Sequence, residues 1–124
     1  HYSVFRPEVT TCWDGQPIPG AQKNARLLEK LIGSDMVIMA GEASSHCVKE
    51  SIADSPGEIR AQDPELAKKV YILKDCTAPV VIPGVIDFTD QAEAALSEFR
   101  NAGMNVVRST DPIESWPGAD RILA

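Results

Sequence analysis

The sequence predicts an α/β fold in which a parallel, doubly wound sheet lies between two layers of helices. Short, mostly apolar runs occur at residues 36–40, 70–73 and 104–107, and the uninterrupted run at 36–40 is typical of a strand that is buried on both faces. Segments with apolar residues at helical spacing lie between these runs. Strands that alternate with helices indicate a parallel sheet with right-handed crossovers. The expected architecture is therefore a three-layer α/β/α, Rossmann-like arrangement.

Two elements are expected before the first strand. Residues 1–20 are rich in proline and glycine and are predicted to form an irregular loop. Residues 21–32 carry leucine and isoleucine at helical spacing, so they are predicted to form a helix. Gly33 fits the position just after the end of that helix.

The first strand leads into a second helix, which is predicted to begin near His46 or Cys47. Val48 and Ile52 would lie on one face of this helix. The helix is expected to end before Pro56, because proline disrupts a helix interior.

The remaining chain repeats this pattern. A short helical turn is expected at residues 65–69, before the second strand, and a long loop at 77–88 after it. Asp90 and Glu93 resemble a capping box at the start of the third helix. The apolar face of that helix is expected to consist of Ala92, Ala95, Leu96 and Phe99. The third strand follows, and residues 113–124 form a C-terminal tail.

Composition and charge exclude several classes of protein. The chain has 124 residues, 44% of them hydrophobic, and a formal net charge of -6 without a basic cluster, so a nucleic-acid partner is not expected. The apolar runs are far too short for a membrane span. Cys12, Cys47 and Cys76 are widely spaced, which fits neither a zinc finger nor a disulfide framework. A reducing, cytoplasmic location is therefore expected.

Cys47 is the candidate catalytic residue. It lies in the turn between the first strand and its helix, and functional groups gather at the carboxyl ends of the strands in open α/β sheets. The N-terminus of a helix favours a thiolate, and its unpaired backbone N–H groups could hold an oxyanion. This is the arrangement of a nucleophile elbow with sulfur in place of oxygen. The alternative is a small buried residue at a helix start.

The segment around Cys47 resembles a known nucleophile motif. Residues 41–48 read Gly-Glu-Ala-Ser-Ser-His-Cys-Val. This segment resembles the motif of the isochorismatase-like cysteine hydrolases, particularly nicotinamidases and related amidases. Residues 71–77, 102–104 and 109–110 are similar to later parts of the same domain. Residues 1–5 resemble the segment that follows the family's catalytic lysine.

The resemblance implies a hydrolase that cleaves the C–N bond of a small carboxamide such as nicotinamide. Cys47 would attack the carbonyl carbon, ammonia would leave, and water would release the thioester. The backbone N–H groups of Cys47 and Ala43 would hold the oxyanion. The family also implies a cis peptide bond between Glu42 and Ala43, with Gly41 easing the approach to this turn.

The resemblance further implies that residues 1–124 are the C-terminal half of a single domain and supply about its last three strands. The family's catalytic Asp and Lys belong to the part before His1, as do the Asp and His residues that bind a metal in some members. No cofactor or metal is therefore expected in these residues, and alone they are expected to be inactive. The expected partners are the N-terminal half, a small carboxamide and further copies in a homo-oligomer, and a membrane is not among them.

Other residues are weaker candidates for the site. His46, Trp13 and Phe88 are candidates for the wall of a substrate pocket, with structural or core packing as the alternative. Asp75 ends a strand near Cys47 and is expected to organise a loop by accepting backbone N–H bonds rather than to act as a base.

Two other functions compete with a hydrolase. One is a non-catalytic subunit or binding module that keeps the fold but has lost the acid–base pair. The other, a thiol-based redox protein, is disfavoured because no second cysteine forms a Cys-x-x-Cys pair. Glu42 is not favoured as a base, because its charge would oppose a nearby thiolate.

Overall fold

The computed structural model describes residues 3–62 and 64–124, and only the backbone of residues 55–62. His1 and Tyr2, which belong to the amino-terminal part of the resemblance, lie outside the described residues. The described residues form strands, α-helices and two 3-10 helices. In chain order these are α1 (Ala25–Ile32), β1 (Val37–Glu42), α2 (Cys47–Gln62), a 3-10 helix (Pro64–Lys69), β2 (Val70–Ala78), β3 (Val81–Ile82), β4 (Ile86–Asp87), α3 (Thr89–Asn101), β5 (Asn105–Val107), a second 3-10 helix (Ile113–Ser115) and α4 (Asp120–Leu123).

The strands β1, β2 and β5 form a parallel sheet in that order. In the register, Val37 of β1 lies beside Val70 of β2, and Tyr71 of β2 lies beside Asn105 of β5. All three strands fall on the apolar runs that predicted them, and helices connect them. The mixed α/β fold with a parallel sheet is therefore confirmed.

The main hydrophobic core lies between this sheet and the helices α2 and α3. Val70 and Ile72 of β2 are buried there together with Ile52 of α2. Side chains alternate along a strand, so these two residues of β2 point to the same face. The predicted apolar face of α3 is confirmed, because its four residues are all buried: Ala92, Ala95, Leu96 and Phe99.

The opposite face of β2 is covered by the C-terminal segment. Tyr71 is almost fully buried, and its ring stacks on Trp116 with the centroids 5.6 Å apart. The Tyr71 hydroxyl donates a hydrogen bond of 2.6 Å to the carbonyl of Pro117. Val107 and Ala119 complete this smaller cluster. Residues 116–119 thus pack directly on the sheet.

The start of α3 is held differently from the prediction. Asp87 accepts the backbone N–H of Thr89 through Oδ1 at 2.8 Å, while Asp90 lies inside the helix. Glu93 instead accepts a hydrogen bond of 2.9 Å from Lys74 Nζ. The capping box predicted from Asp90 and Glu93 is therefore wrong, because the helix begins at Thr89, with Asp90 as its second residue, and Glu93 pairs with Lys74 of β2.

The second helix continues past its predicted end. α2 runs through Pro56 and Gly57 to Gln62, so the expected end before Pro56 is wrong. Proline removes one helical hydrogen bond, which is a local penalty. Ile52 anchors the helix in the core, and α2 contacts the following 3-10 helix. Tertiary packing of this kind overrides local propensity.

A hairpin replaces most of the predicted loop after β2. β2 extends to Ala78, and Val81–Ile82 pairs with Ile86–Asp87 as an antiparallel two-stranded sheet. Its turn contains Gly84, whose φ of 74° lies in the left-handed region that favours glycine. The long loop predicted at 77–88 is therefore wrong, because residues 81–82 and 86–87 pair as strands.

The N-terminal segment is attached to two helices. The backbone N–H of Val4 donates to Ser51 Oγ of α2 at 3.1 Å, and Phe5 is buried against Leu28 of α1.

None of the helices in the described residues is long and apolar enough to cross a membrane.

Candidate active site at Cys47

Cys47 is the first residue of α2 and follows the carboxyl end of β1. It is partly buried. Together with Val4, Met39 and Glu42 it lines a cleft of about 180 Å³. The cysteine therefore lies at a strand end, at a helix N-terminus and on a cleft that a small molecule can reach.

The turn before Cys47 is held by backbone hydrogen bonds. The carbonyl of Ala43 accepts from the N–H groups of His46 and Val48, both at 3.0 Å. The N–H of Ser44 donates to the carbonyl of Ala78, at the end of β2, at 2.8 Å. These bonds fix the position of the cysteine relative to both strands.

The backbone between β1 and this turn has two special conformations. The peptide bond between Glu42 and Ala43 is cis, at the bond where the resemblance leads to that expectation. Gly41 has a φ of 123°, which side chains rarely adopt, so a larger residue there would strain the backbone.

The backbone N–H of Cys47 forms no hydrogen bond with the described part of the chain. The first N–H groups of a helix have no partner inside the helix, and the positive end of the helix dipole lies there. An anionic oxygen next to the sulfur could therefore accept from this N–H.

Ser45, His46 and Phe88 form a cluster beside Cys47. Ser45 is buried, and its Oγ lies 2.8 Å from His46 Nδ1 and accepts the N–H of Val80 at 3.1 Å. The rings of His46 and Phe88 meet edge to face with centroids 4.7 Å apart. His46 and Phe88, two of the three predicted pocket residues, therefore contact each other, but neither is among the residues that line the cleft at Cys47. The sequence analysis did not single out Ser45. A hydroxyl residue just before the start of a helix, where such residues often bind backbone N–H groups, could have indicated it.

The third predicted pocket residue, Trp13, lies elsewhere. It is in a turn closed by the hydrogen bond from Gly15 N–H to the carbonyl of Cys12, and its side chain is 100% exposed. Trp13 therefore buries no surface against the Cys47 cleft. Trp13 lies in a loop that is rich in glycine and proline. Such a loop has no periodicity, so the direction of the Trp13 side chain could not be predicted from the sequence.

Asp75 organises a loop, as expected from the sequence. Its Oδ1 accepts the backbone N–H of Ser109 at 2.9 Å, and its Oδ2 accepts the Ser109 hydroxyl at 2.6 Å. The hydroxyl bond and then the backbone bond lower the pKa of the Asp75 carboxyl. Asp75 lies within β2 and not at its end, which is the position expected from the sequence, and it ties this strand to the residues after β5.

This pair predicts a pH-dependent contribution to stability. Because the pKa of Asp75 is lowered in the folded state, its ionised form stabilises the fold above the unfolded pKa. That contribution is lost as the pH falls through the folded pKa. Ser109→Ala should raise the titration midpoint of Asp75, as measured by carboxyl NMR. Ser115→Ala is the control, since its hydroxyl donates to the carbonyl of Pro112. An unchanged midpoint in Ser109→Ala would contradict the assignment.

Neither of the other two cysteines belongs to the turn before α2. Cys12 and Cys76 are both exposed. Among residues 3–62 and 64–124, no group of three His, Cys, Asp or Glu side chains is arranged to hold a metal ion. Within that same part of the chain, no side chain forms a hydrogen bond or ion pair with the Cys47 thiol. The arrangement thus places a thiol beside an N–H donor, and no described side chain bonds to that thiol.

Searches of the chain against protein-family models and against curated proteins find no match. A function for Cys47 therefore depends on the geometry of its turn and on the motif in residues 41–48.

Proposed function

We propose that this chain is the nucleophile-bearing half of a cysteine hydrolase that cleaves a small carboxamide, similar to the isochorismatase-like nicotinamidases and related amidases. One observation carries this proposal: Cys47 is the first residue of α2 and opens on a cleft at the carboxyl end of β1. Its own N–H has no acceptor in the described residues, so a substrate oxygen can take that bond.

The proposed reaction has two steps. The Cys47 sulfur forms a bond to the carboxamide carbon, and the C–N bond breaks once the nitrogen has gained a proton and leaves as ammonia. Water then attacks the thioester, which gives a carboxylic acid and restores the thiol. The N–H groups of Cys47 and Ala43 hold the oxyanion in both steps, and Gly41 and Glu42 form the approach to this turn.

The acid–base pair is proposed to come from a preceding half of the same domain, as the resemblance implies. β1 is an edge strand of the described sheet, so its outer backbone groups are open to another strand. Ile38 is 45% exposed, and a second helical layer would cover it. Such a half would bring the catalytic Asp and Lys and complete the three-layer α/β/α arrangement. A cytoplasmic location, which keeps the thiol reduced, belongs to the same proposal.

One observation favours a second candidate, a non-catalytic binding module of the same family. No described side chain contacts the Cys47 sulfur in a way that would accept its proton. A module that binds carboxamides without cleaving them would have the same turn and cleft.

The full-length protein should release ammonia from a carboxamide panel that includes nicotinamide, benzamide and acetamide. After a rapid acid quench, mass spectrometry should find the acyl group on the peptide that contains Cys47, because the thioester forms there. N,N-Dimethylbenzamide is the control, since it cannot release ammonia. Binding of a carboxamide without ammonia release would support the non-catalytic module. Ammonia release with acylation at another residue would overturn the role of Cys47.

A further inference from the structure

Ser51 attaches the N-terminal segment to α2 next to the nucleophile. It follows Cys47 by about one helical turn, so both side chains lie on the same face of the helix. Its Oγ accepts the backbone N–H of Val4 at 3.1 Å. Val4, Cys47 and Ser51 all line the cleft of about 180 Å³. The hydrogen bond therefore joins two sides of the cleft that Cys47 lines.

The Ser51 hydroxyl is held in a buried position. Ser51 is 5% exposed, and a buried hydroxyl without a partner would cost free energy. The N–H of Val4 supplies that partner. Within residues 3–62 and 64–124, Val4 forms no other hydrogen bond. The position of the Val4 backbone at the cleft thus depends on this serine.

The residues after Val4 hold the segment at two further points. Phe5 is 1% exposed and packs with Leu28 of α1. Arg6 Nη2 lies 3.6 Å from Asp54 Oδ1 on α2. Val4 itself is 60% exposed, so its side chain is available to contact a molecule in the cleft. The segment thus forms an edge of the cleft that is anchored at Phe5 and fixed at Val4 by one hydrogen bond.

We propose that residues 4–6 form a size-limiting wall of the Cys47 cleft and that Ser51 is the positioning residue for this wall. The site then selects carboxamides whose acyl group is no larger than a single six-membered ring. This inference rests on the proposed function, because it takes the Cys47 sulfur as the acylated atom. A cavity of about 150 Å³ holds benzene, so the cleft of about 180 Å³ accommodates one ring but not two fused rings.

Thiosulfonate reagents of two sizes test this wall without requiring turnover. Methyl and naphthylmethyl methanethiosulfonate each transfer an RS group to a thiolate. A new S–S bond forms, the bond between the two sulfur atoms of the reagent breaks, and methanesulfinate leaves. The measured quantity is the ratio of the naphthylmethyl rate to the methyl rate at Cys47 of the full-length protein, obtained by peptide mass mapping.

The ratio at Cys47 should rise about fivefold in Ser51→Ala. The loss of one hydrogen bond raises by about this factor the population in which the wall has moved away, and the larger reagent requires that population. A change in thiolate content alters both rates equally and cancels in the ratio. A serine that only stabilised the fold would lower the unfolding midpoint of the variant and leave the ratio unchanged.

A matched variant and an internal reference control the experiment. Ser34→Ala also removes one hydroxyl hydrogen bond, to the carbonyl of Lys30, but Ser34 is not among the residues that line this cleft. Its ratio at Cys47 should equal that of the wild type. Exposed Cys76 in the same samples should keep its ratio in every variant.

Val4→Pro removes the same hydrogen bond from the donor side, because proline has no backbone N–H. It should also raise the ratio at Cys47. Since it leaves α2 unchanged, it decides the matter if Ser51→Ala does not fold.

The outcomes separate this inference from the proposed function. An unchanged ratio at Cys47 in folded Ser51→Ala, or in Val4→Pro where Ser51→Ala does not fold, overturns the wall. Ammonia release together with that unchanged ratio removes the wall and leaves the amidase. A raised ratio in a protein that releases no ammonia supports the wall and removes the amidase.

Discussion

Replacing Cys47 by alanine is expected to reduce ammonia release from the preferred carboxamide by about a thousandfold or more, as losses of catalytic nucleophiles do. The reason is that no thioester can form, so the two-step route is closed. The fold should persist, since Cys47 is partly buried on a cleft and alanine suits the first turn of a helix. Steady-state ammonia release and circular dichroism of the intact protein measure the two quantities.

Cys76→Ala is the matched control for this variant. Cys76 is an exposed cysteine at the end of β2, and its loss should leave the rate within about twofold, as for most surface substitutions. Cys47→Ala with wild-type turnover, or Cys76→Ala with the larger loss, would contradict the assignment of the nucleophile.

The largest expected effect on stability is at Ile72. It is 0% exposed, lies on the central strand and neighbours Met39 on one side and Val106 on the other. Ile72→Ala should lower the free energy of unfolding by about 3 kcal/mol, because it removes buried methylenes and leaves a cavity between the sheet and the helices. Urea denaturation followed by circular dichroism measures this change.

Ile72→Val is a smaller truncation of the same side chain and serves as the control. It removes one methylene and should cost about 1 kcal/mol. A denaturation midpoint in Ile72→Ala equal to that of the wild type would show that this position is not part of the core. An equal loss in both variants would point to a shape effect rather than to lost burial.

The sequence predicted the elements whose signals are local and repeated. The apolar runs predicted the positions of the strands in the parallel sheet. The helical spacing of Ala92, Ala95, Leu96 and Phe99 predicted the buried face of α3. These patterns predict elements reliably because a helix or strand forms where one of its faces can be buried. The end of α2 could not be predicted in this way, since packing around Ile52 outweighs the local effect of Pro56.

The hairpin shows how a correct local observation can give a wrong element. Pro79, Pro83 and Gly84 indicate a break in regular structure and predict a loop over residues 77–88, which includes the valine–isoleucine pairs on either side of Pro83 and Gly84. Two apolar pairs around a turn are also a hairpin signal. What the sequence could not show is the anchor on Ser45, because that bond joins residues 35 positions apart.

Of the candidate site, only the position of Cys47 could be predicted from the sequence. A cysteine after a buried strand and before a helix defines a place in the fold, so the position of Cys47 could be predicted from the order of the elements, while its proposed role depends also on the motif in residues 41–48. The contacts of Ser45 and His46 depend on hydrogen bonds to residues that are distant in the sequence. The spacing of residues along the chain does not reveal such bonds. Ser109 as the partner of Asp75 likewise requires the register of β5 beside β2.

The irregular pairing of β1 with β2 has a consequence for how this chain can change in length. Met39 lies beside Ile72, but Gly41 lies beside Thr77, so β2 carries spare residues between the two points. Elsewhere in a sheet, one added residue turns every following side chain to the opposite face. Here the pairing with β1 restarts at Thr77, so a change of length within residues 74–76 can leave that later pairing in register, at the expense of the bonds between Asp75 and Ser109. The end of β2, whose Ala78 carbonyl accepts the N–H of Ser44, then stays in place, and so does the turn that leads to Cys47.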